Sequence, residues 1–172
     1  MMECKKALTE AGGEVELAID NLRKSGQAKA AKKAGNVAAE GAILAATSAD
    51  GKTALLLEVN SQTDFVAKDA NFTTSAKAVA DLALAAGETD VAKISALTYA
   101  DGLSVEEARV ALVQKIGENI QIRRAVLVTG DVVGTYGHGS RIGVAVVLNG
   151  GNADVARDVA MHGAAANPMV VN

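Results

Sequence analysis

The sequence predicts an α+β fold, with helices packed against a small antiparallel sheet, and three observations predict it. Apolar residues alternate with period two over residues 53–59 and 142–148. Elsewhere they recur at three- and four-residue spacing, the mark of a helix with one apolar face. The two kinds of segment are segregated along the chain, and the first two strands read as a hairpin, which favours an antiparallel sheet over a wound parallel one. At 172 residues, 49% hydrophobic and 22% charged, the chain has globular composition and enough length to bury a core. That core has to be built from Ala, Val, Leu and Ile, because Phe65, Phe72, Tyr99 and Tyr136 are the whole aromatic complement.

From the N-terminus, Cys4, Ala7, Leu8 and Ala11 sit at helical spacing and stop at Gly12-Gly13. A second stripe, Val15, Ala18, Ile19 and Leu22, is expected to break at Ser25-Gly26. Two such helices need a third surface, so the chain looks cut at its N-terminus, with a partner helix missing upstream. Residues 27–34 read as a polar, alanine-rich linking helix ending at Gly35. Gly41-Ala42-Ile43-Leu44-Ala45, a turn at Asp50-Gly51, and a strand with Leu55, Leu57 and Val59 on one face form the hairpin. Phe72, Ala76, Val79, Ala80 and Ala83 mark a helix ending near Gly87, and a shorter one covers residues 90–97. Ser104 and Glu107 form a capping box, opening a helix whose stripe is Val105, Ala108, Leu112 and Ile116 and whose stop is Gly117. Two strands follow, residues 122–133 (interrupted at Gly130-Asp131) and residues 142–148. Asn152 then caps a last helix through Val155 and Val159 to about Ala166, closed by Pro168. The expected division is a helical unit at 1–26, a linker at 27–36 and a core at 37–172.

Chemistry is harder to find. A net charge of −3 argues against nonspecific nucleic-acid binding as the main task. One cysteine excludes an internal disulfide and cannot supply a zinc cage. No apolar run is long enough for a membrane span, and the first residues do not open a signal peptide, so the expectation is a soluble cytoplasmic protein. His138 falls in a Gly137-His138-Gly139-Ser140 loop and His162 on the last helix, where a half-buried structural role is the default. Neither has metal-ligand neighbours at useful spacing. Gly137, Gly139 and Gly143 have the wrong spacing for a dinucleotide fingerprint and read as a hairpin turn. Cys4 lacks a base and sits where cysteine is a small apolar filler. Lys29, Lys32 and Lys33 read as a solvated helix face. Arg123-Arg124 beside Glu118-Asn119 reads equally as a polar strand edge or as a partner contact. No enzyme and no cofactor are expected.

One segment stands apart. Asn60-Ser61-Gln62-Thr63-Asp64-Phe65-Val66-Ala67-Lys68-Asp69 joins the hairpin to the next helices. Thr63 or Asp64 is an ordinary N-cap in one reading, with Phe65 and Val66 in the core. In the other, a supported loop presents an aromatic wedge beside an acid, the composition of an interface hot spot.

The stretch from Glu58 to Val66 resembles the signature of the elongation factor Ts family. Met1-Met2-Glu3-Cys4-Lys5-Lys6-Ala7-Leu8 is similar to the family's N-terminal signature. Lys32-Lys33-Ala34-Gly35-Asn36-Val37-Ala38-Ala39-Glu40-Gly41 resembles its linker and first strand, and Lys115-Ile116-Gly117-Glu118-Asn119-Ile120-Gln121-Ile122-Arg123-Arg124 the run into its second strand group. The resemblance implies a guanine-nucleotide exchange factor of translation elongation. It also implies a ubiquitin-associated-like helical unit, here partial, before an α+β core. Members normally continue past the position of Asn172 into a coiled coil and a second subdomain. The implied partner is elongation factor Tu with GDP bound, with no direct nucleic acid and no membrane. The resemblance assigns Thr63, Asp64, Phe65 and Val66 to Mg²⁺ dislocation from that partner. It assigns partner contact to Met1, Met2, Asp64, Phe65, Ile116, Gly117 and His138. The competing class is a non-enzymatic adaptor or RNA-binding module using Lys29, Lys32, Lys33, Arg123 and Arg124.

Overall fold

The computed structural model describes residues 1–170, and it is an α+β structure with two antiparallel sheets rather than one. Helix α1 (Met2–Glu10) turns at Gly12-Gly13 into α2 (Val15–Lys33). The hairpin is β1 (Glu40–Thr47) and β2 (Thr53–Ser61), paired from Glu40↔Ser61 to Thr47↔Ala54. A one-turn helix α3 (Asp64–Ala67) leads into α4 (Ala70–Ala86), then α5 (Val91–Ala96) and α6 (Val105–Ile116). Strand β3 (Gln121–Thr129) returns to pair with β2, giving the order β1-β2-β3. The chain then passes through Gly130-Asp131 into a second sheet, β4 (Val132–His138) paired with β5 (Ile142–Leu148), and ends in α7 (Ala153–Ala166).

The elements form where side-chain chemistry starts and stops them. The capping box at Ser104 and Glu107 is present in both directions, and Asp69, Asp90 and Asn152 cap α4, α5 and α7. Gly87 and Gly117 end α4 and α6 in the left-handed region, where a Cβ is costly.

The main core lies between the three-stranded sheet and α4–α6. Leu55 and Leu57 of β2, Phe72 of α4, Ile94 of α5 and Val105 of α6 are all buried there. Burying a side chain of this size stabilises the fold by roughly 1.5–3 kcal/mol. Phe72, the sole buried aromatic among the described residues, is the largest. The opposite face of the sheet meets the β4–β5 hairpin, where a Cβ on Gly143 would lie 2.5 Å from Ile43. Helix α7 covers that hairpin on its far side.

Five expectations need correction. The break at Ser25-Gly26 is absent, since α2 runs through it and the residues expected as a separate linking helix are its second half. Gly26 is buried with Gln114 of α6 laid over it, so packing against α6 outweighs its low helix propensity. The strand expected over 122–133 is two strands in different sheets, and His138 ends a strand instead of lying in the loop. In the outer helices the buried positions are the alanines: Ala7, Ala11 and Ala18 at one end, Ala156 and Ala160 at the other. Cys4, Leu8, Val15, Ile19, Val155 and Val159 face outward. His162 is likewise exposed rather than half-buried. Small residues let the backbones approach closely, which moves the contact line one position off the bulkier stripe.

Two measurements test this packing. Helix α1 and the start of α2 bury only the Ala7, Ala11 and Ala18 cluster with Leu22 against it, whereas Ala30 of α2 joins the main core. Hydrogen exchange should therefore be fast through α1 and early α2 and slow from Ala30 into the sheet, and uniform protection would contradict this. A Cβ on Gly134 would lie 2.4 Å from the backbone of Ala156, which cannot swing away as a side chain can. Gly134→Ala should cost about 1–3 kcal/mol in urea unfolding, and an unchanged midpoint would show that α7 shifts freely.

Candidate functional site

Strand β2 ends at Ser61, whose buried hydroxyl donates to the carbonyl of Thr63 (3.0 Å) and turns the chain sharply. Thr63 is the N-cap of α3, its Oγ1 accepting from the Val66 backbone N–H at 3.4 Å. Asp69 then caps α4 through the N–H groups of Asn71 and Phe72. Seven residues thus hold two caps with one helical turn between them. That turn points Ala67 and Val66 into the core and leaves Phe65 outside, 82% exposed. The reading of Phe65 as a core residue is therefore excluded; the N-cap role of Thr63 and the packing of Val66 hold.

This exposure is the least expected feature of the site. A chain with so few aromatics leaves one of its two phenylalanines in solvent, forgoing roughly 1.5–3 kcal/mol of burial. Beside it the Asp64 carboxylate accepts from Lys68 Nζ at 3.0 Å. That hydrogen bond and the ammonium charge hold Asp64 below the ordinary aspartate range, with a smaller contribution from Arg141. Asp64 is therefore ionised throughout the neutral range.

The support comes from the turn after α6. Gly117, left-handed at φ +86°, swings the chain so that Glu118 faces the end of β2. Its Oε2 accepts from the N–H groups of Gln62 (3.1 Å) and Thr63 (3.0 Å), and its Oε1 from the Thr63 hydroxyl (2.7 Å). Gln62 Oε1 accepts in turn from the Asn119 N–H (2.7 Å) and from Asn36 Nδ2 (3.1 Å). Asn119 is only 3% exposed; its Nδ2 donates to the Asn36 carbonyl (2.8 Å) and its Oδ1 accepts from Gln121 Nε2 (2.9 Å). One polar node thereby joins the exit of α2, the β2–α3 turn and the α6–β3 turn. Glu118 and Asn119, named in the sequence only as neighbours of Arg123-Arg124, have an internal role. The sequence carried a signal for it, an acid directly after a left-handed glycine, but not the target of that acid.

The resemblance-derived residues divide accordingly. Thr63, Asp64, Phe65 and Val66 are brought together with Ile116 and Gly117 through Glu118. Ile116 and Val66 both pack on the main core, while Gly117 is exposed. His138 is exposed at the end of β4, with Tyr136 stacked beside it at 6.4 Å between ring centroids. The turn after His138 docks on the edge of β1, where the Ile43 N–H donates to the Ser140 carbonyl (2.8 Å) and Arg141 pairs with Glu40 (2.6 Å). Arg141 thus links the His138 hairpin to the Asp64 side of the molecule. Met1 and Met2 stand exposed at the start of α1, tied to α2 by the Glu3–Lys29 ion pair.

The basic residues are partly neutralised. Lys29 is engaged by Glu3, and Arg124 lies 2.6 Å and Arg123 3.7 Å from the Glu58 carboxylate. A β-bulge opposite Glu58 and Val59 inserts one extra residue in β3, so neighbouring arginines reach one acid instead of pointing to opposite faces. Among the described residues no group of three or more His, Cys, Asp or Glu side chains is arranged to hold a metal, and no helix is long and apolar enough to cross a membrane.

A family model described as Elongation factor TS matches residues 62–172. Proteins named Elongation factor Ts from Acinetobacter baumannii and a Psychrobacter species are 67% and 66% identical over 172 residues. In both cases the match covers all of this chain and 58% of the relative, so the chain spans a little over half their length. A third, from Arthrospira platensis, is 61% identical over 173 residues, covering all of this chain and 70% of its own.

The node makes a sharp prediction at Asn119, whose amide acts as a donor. Asn119→Asp keeps the shape but turns a carboxylate oxygen toward two backbone carbonyls. It should destabilise the fold about as much as Asn119→Ala, by roughly 1–3 kcal/mol. Urea unfolding of both variants checks this, and a harmless aspartate would show that the donor is not needed.

Proposed function

The chain belongs to the elongation factor Ts family, and on that premise we propose that it serves translation elongation as a guanine-nucleotide exchange factor. In this reading it binds elongation factor Tu in its GDP state, dislodges Mg²⁺ and promotes GDP release, making and breaking no bond itself. The observation that carries the reading is Phe65, exposed on a helical turn anchored at both ends, with the ionised Asp64 beside it.

The physical logic is linkage. A factor that binds the nucleotide-free GTPase more tightly than the GDP-bound one weakens GDP and Mg²⁺ binding by the same factor. Mg²⁺ neutralises phosphate charge, so a wedge that displaces it loosens GDP directly. Phe65 is suited to the wedge because a rigid aromatic orders few torsions on docking, and aromatic anchors dominate interface energetics. Thr63, Asp64, Phe65 and Val66 form the dislocating segment. Ile116, Gly117 and His138 extend the contact, and Met1 and Met2 supply a separate one on the α1–α2 unit, which we read as the partial ubiquitin-associated-like domain at 1–26. Residues 27–36 are its link to the core at 37–172. Of the five basic residues on which the alternative of an RNA-binding module rests, Lys29, Arg123 and Arg124 are engaged within the chain, which leaves Lys32 and Lys33 to carry it.

Because Phe65 is exposed, its loss should leave the fold intact. Phe65→Ala should slow stimulated GDP release from elongation factor Tu about thirtyfold in millimolar-scale Mg²⁺, the kinetic equivalent of roughly 2 kcal/mol. Parent and variant should converge once the metal is chelated, since the chelator has then done the step in which they differ. A defect undiminished in chelator would mean that Phe65 supplies docking energy alone.

A further inference from the structure

We propose that Glu118 is a positioning residue for exchange, which acts by holding the Phe65 turn in its active shape without itself touching the partner; this rests on the exchange reading above. Three hydrogen bonds to one carboxylate, at 2.7, 3.0 and 3.1 Å, converge on Gln62 and Thr63, the two residues that open the helical turn carrying Phe65. The carboxylate comes from the far end of α6, more than fifty residues along the chain, so nothing local to the turn replaces it.

The turn needs such an anchor. A helix of four residues sits at the unfavourable nucleation stage, where fixing several dihedrals gains one hydrogen bond. The N–H groups of Gln62 and Thr63, just ahead of the helix, have no partner in it, and Phe65, being exposed, contributes no burial to hold the turn in place. Glu118 supplies ionic acceptors to both N–H groups and to the hydroxyl that caps the turn, and hydrogen bonds to an ionised acceptor are about twice as strong as neutral ones. Without it only the Thr63 cap and the packing of Val66 and Ala67 hold the turn, and its active shape is less populated. A wedge competent for only a fraction of the time works at that fraction of its strength, because the ordering cost then falls on the encounter with the partner. Asn36 and Asn119 reach the same turn only through the Gln62 side chain, one step further from Phe65.

The experiment is a double-mutant cycle on the full chain, following GDP release from elongation factor Tu in Mg²⁺ with thermal unfolding alongside. Glu118→Ala removes all three hydrogen bonds and should lower the maximal stimulated rate about tenfold, since water replaces part of what they contribute. The concentration giving half-maximal stimulation should change little, because contacts elsewhere still dock. Glu118→Gln keeps the shape but leaves a single neutral acceptor oxygen, with an NH2 donor in place of the other, and should fall between; it carries the test if the alanine variant does not fold. The deciding readout is epistasis: adding either Glu118 variant to Phe65→Ala should slow release no further, and amide exchange at Gln62 and Thr63 should speed up. Additive slowing on the Phe65→Ala background would assign Glu118 a contact or a general structural role and overturn the proposal. So would a normal rate in both Glu118 variants while Phe65→Ala is slow. If Phe65→Ala releases GDP as fast as the parent, the exchange reading fails and the positioning role fails with it.

Discussion

The side chains of Gln62, Glu118 and Asn119 meet where three segments from distant parts of the sequence converge, and most of what distinguishes this molecule depends on that meeting. Each of these segments is a connection between elements, with backbone N–H and C=O groups that no ladder or helix satisfies. Buried or half-buried groups of that kind cost 1–3 kcal/mol each when left unpaired. The node satisfies them reciprocally: Glu118 takes the N–H groups of Gln62 and Thr63, Gln62 takes that of Asn119, and Asn119 gives its amide protons to carbonyls at the end of α2. No buried side-chain polar atom lacks a partner among the described residues. The same bonds that close this account orient α3, so loop stability and presentation of Phe65 cannot be separated.

The rest of the architecture serves to make that node rigid. Val66, Ala67 and Ile116 are set into the main core, so the surface turns stand on packed side chains instead of on a flexible loop. A core built from Ala, Val, Leu and Ile brings its layers close together. Gly143 sits against Ile43, and Gly134 lies under Ala156, at spacings where one further carbon would clash. The shortage of aromatics makes the exposed Phe65 more informative than it would be in an aromatic-rich protein. The proposed exchange activity asks for such a surface, one apolar anchor that does not collapse onto its own core.

The charged surface supports the same reading by what it withholds. Three of the five basic residues singled out in the sequence meet acids in space, Lys29 with Glu3 and Arg123 and Arg124 with Glu58. Exposed pairs of this sort contribute little to stability. Their effect is to reduce the positive charge left free on this part of the surface.

What the sequence determined by itself is local. Period-two runs placed β2 and β5, and the turn at Asp50-Gly51 placed β1 opposite β2; the capping box at Ser104 and the glycines at 87 and 117 placed the ends of α4 and α6; and the stretch from Glu58 to Val66 carried the family. These signals are legible because they depend on residues within one turn or one strand of each other. Gly26 and the exposed valines of α7 misled for the converse reason: whether a glycine breaks a helix, or which face a helix buries, is decided by the surface that lies against it. The interruption expected at Gly130-Asp131 is where β3 gives way to β4, but no period announces that β4 belongs to a second sheet. Whether Phe65 is core or surface, and whether Glu118 faces solvent, a partner or the Thr63 backbone, was settled only when β2 and the end of α6 came together. Hydrogen bonds between residues more than fifty positions apart leave no periodicity behind, so only the tertiary structure decides them.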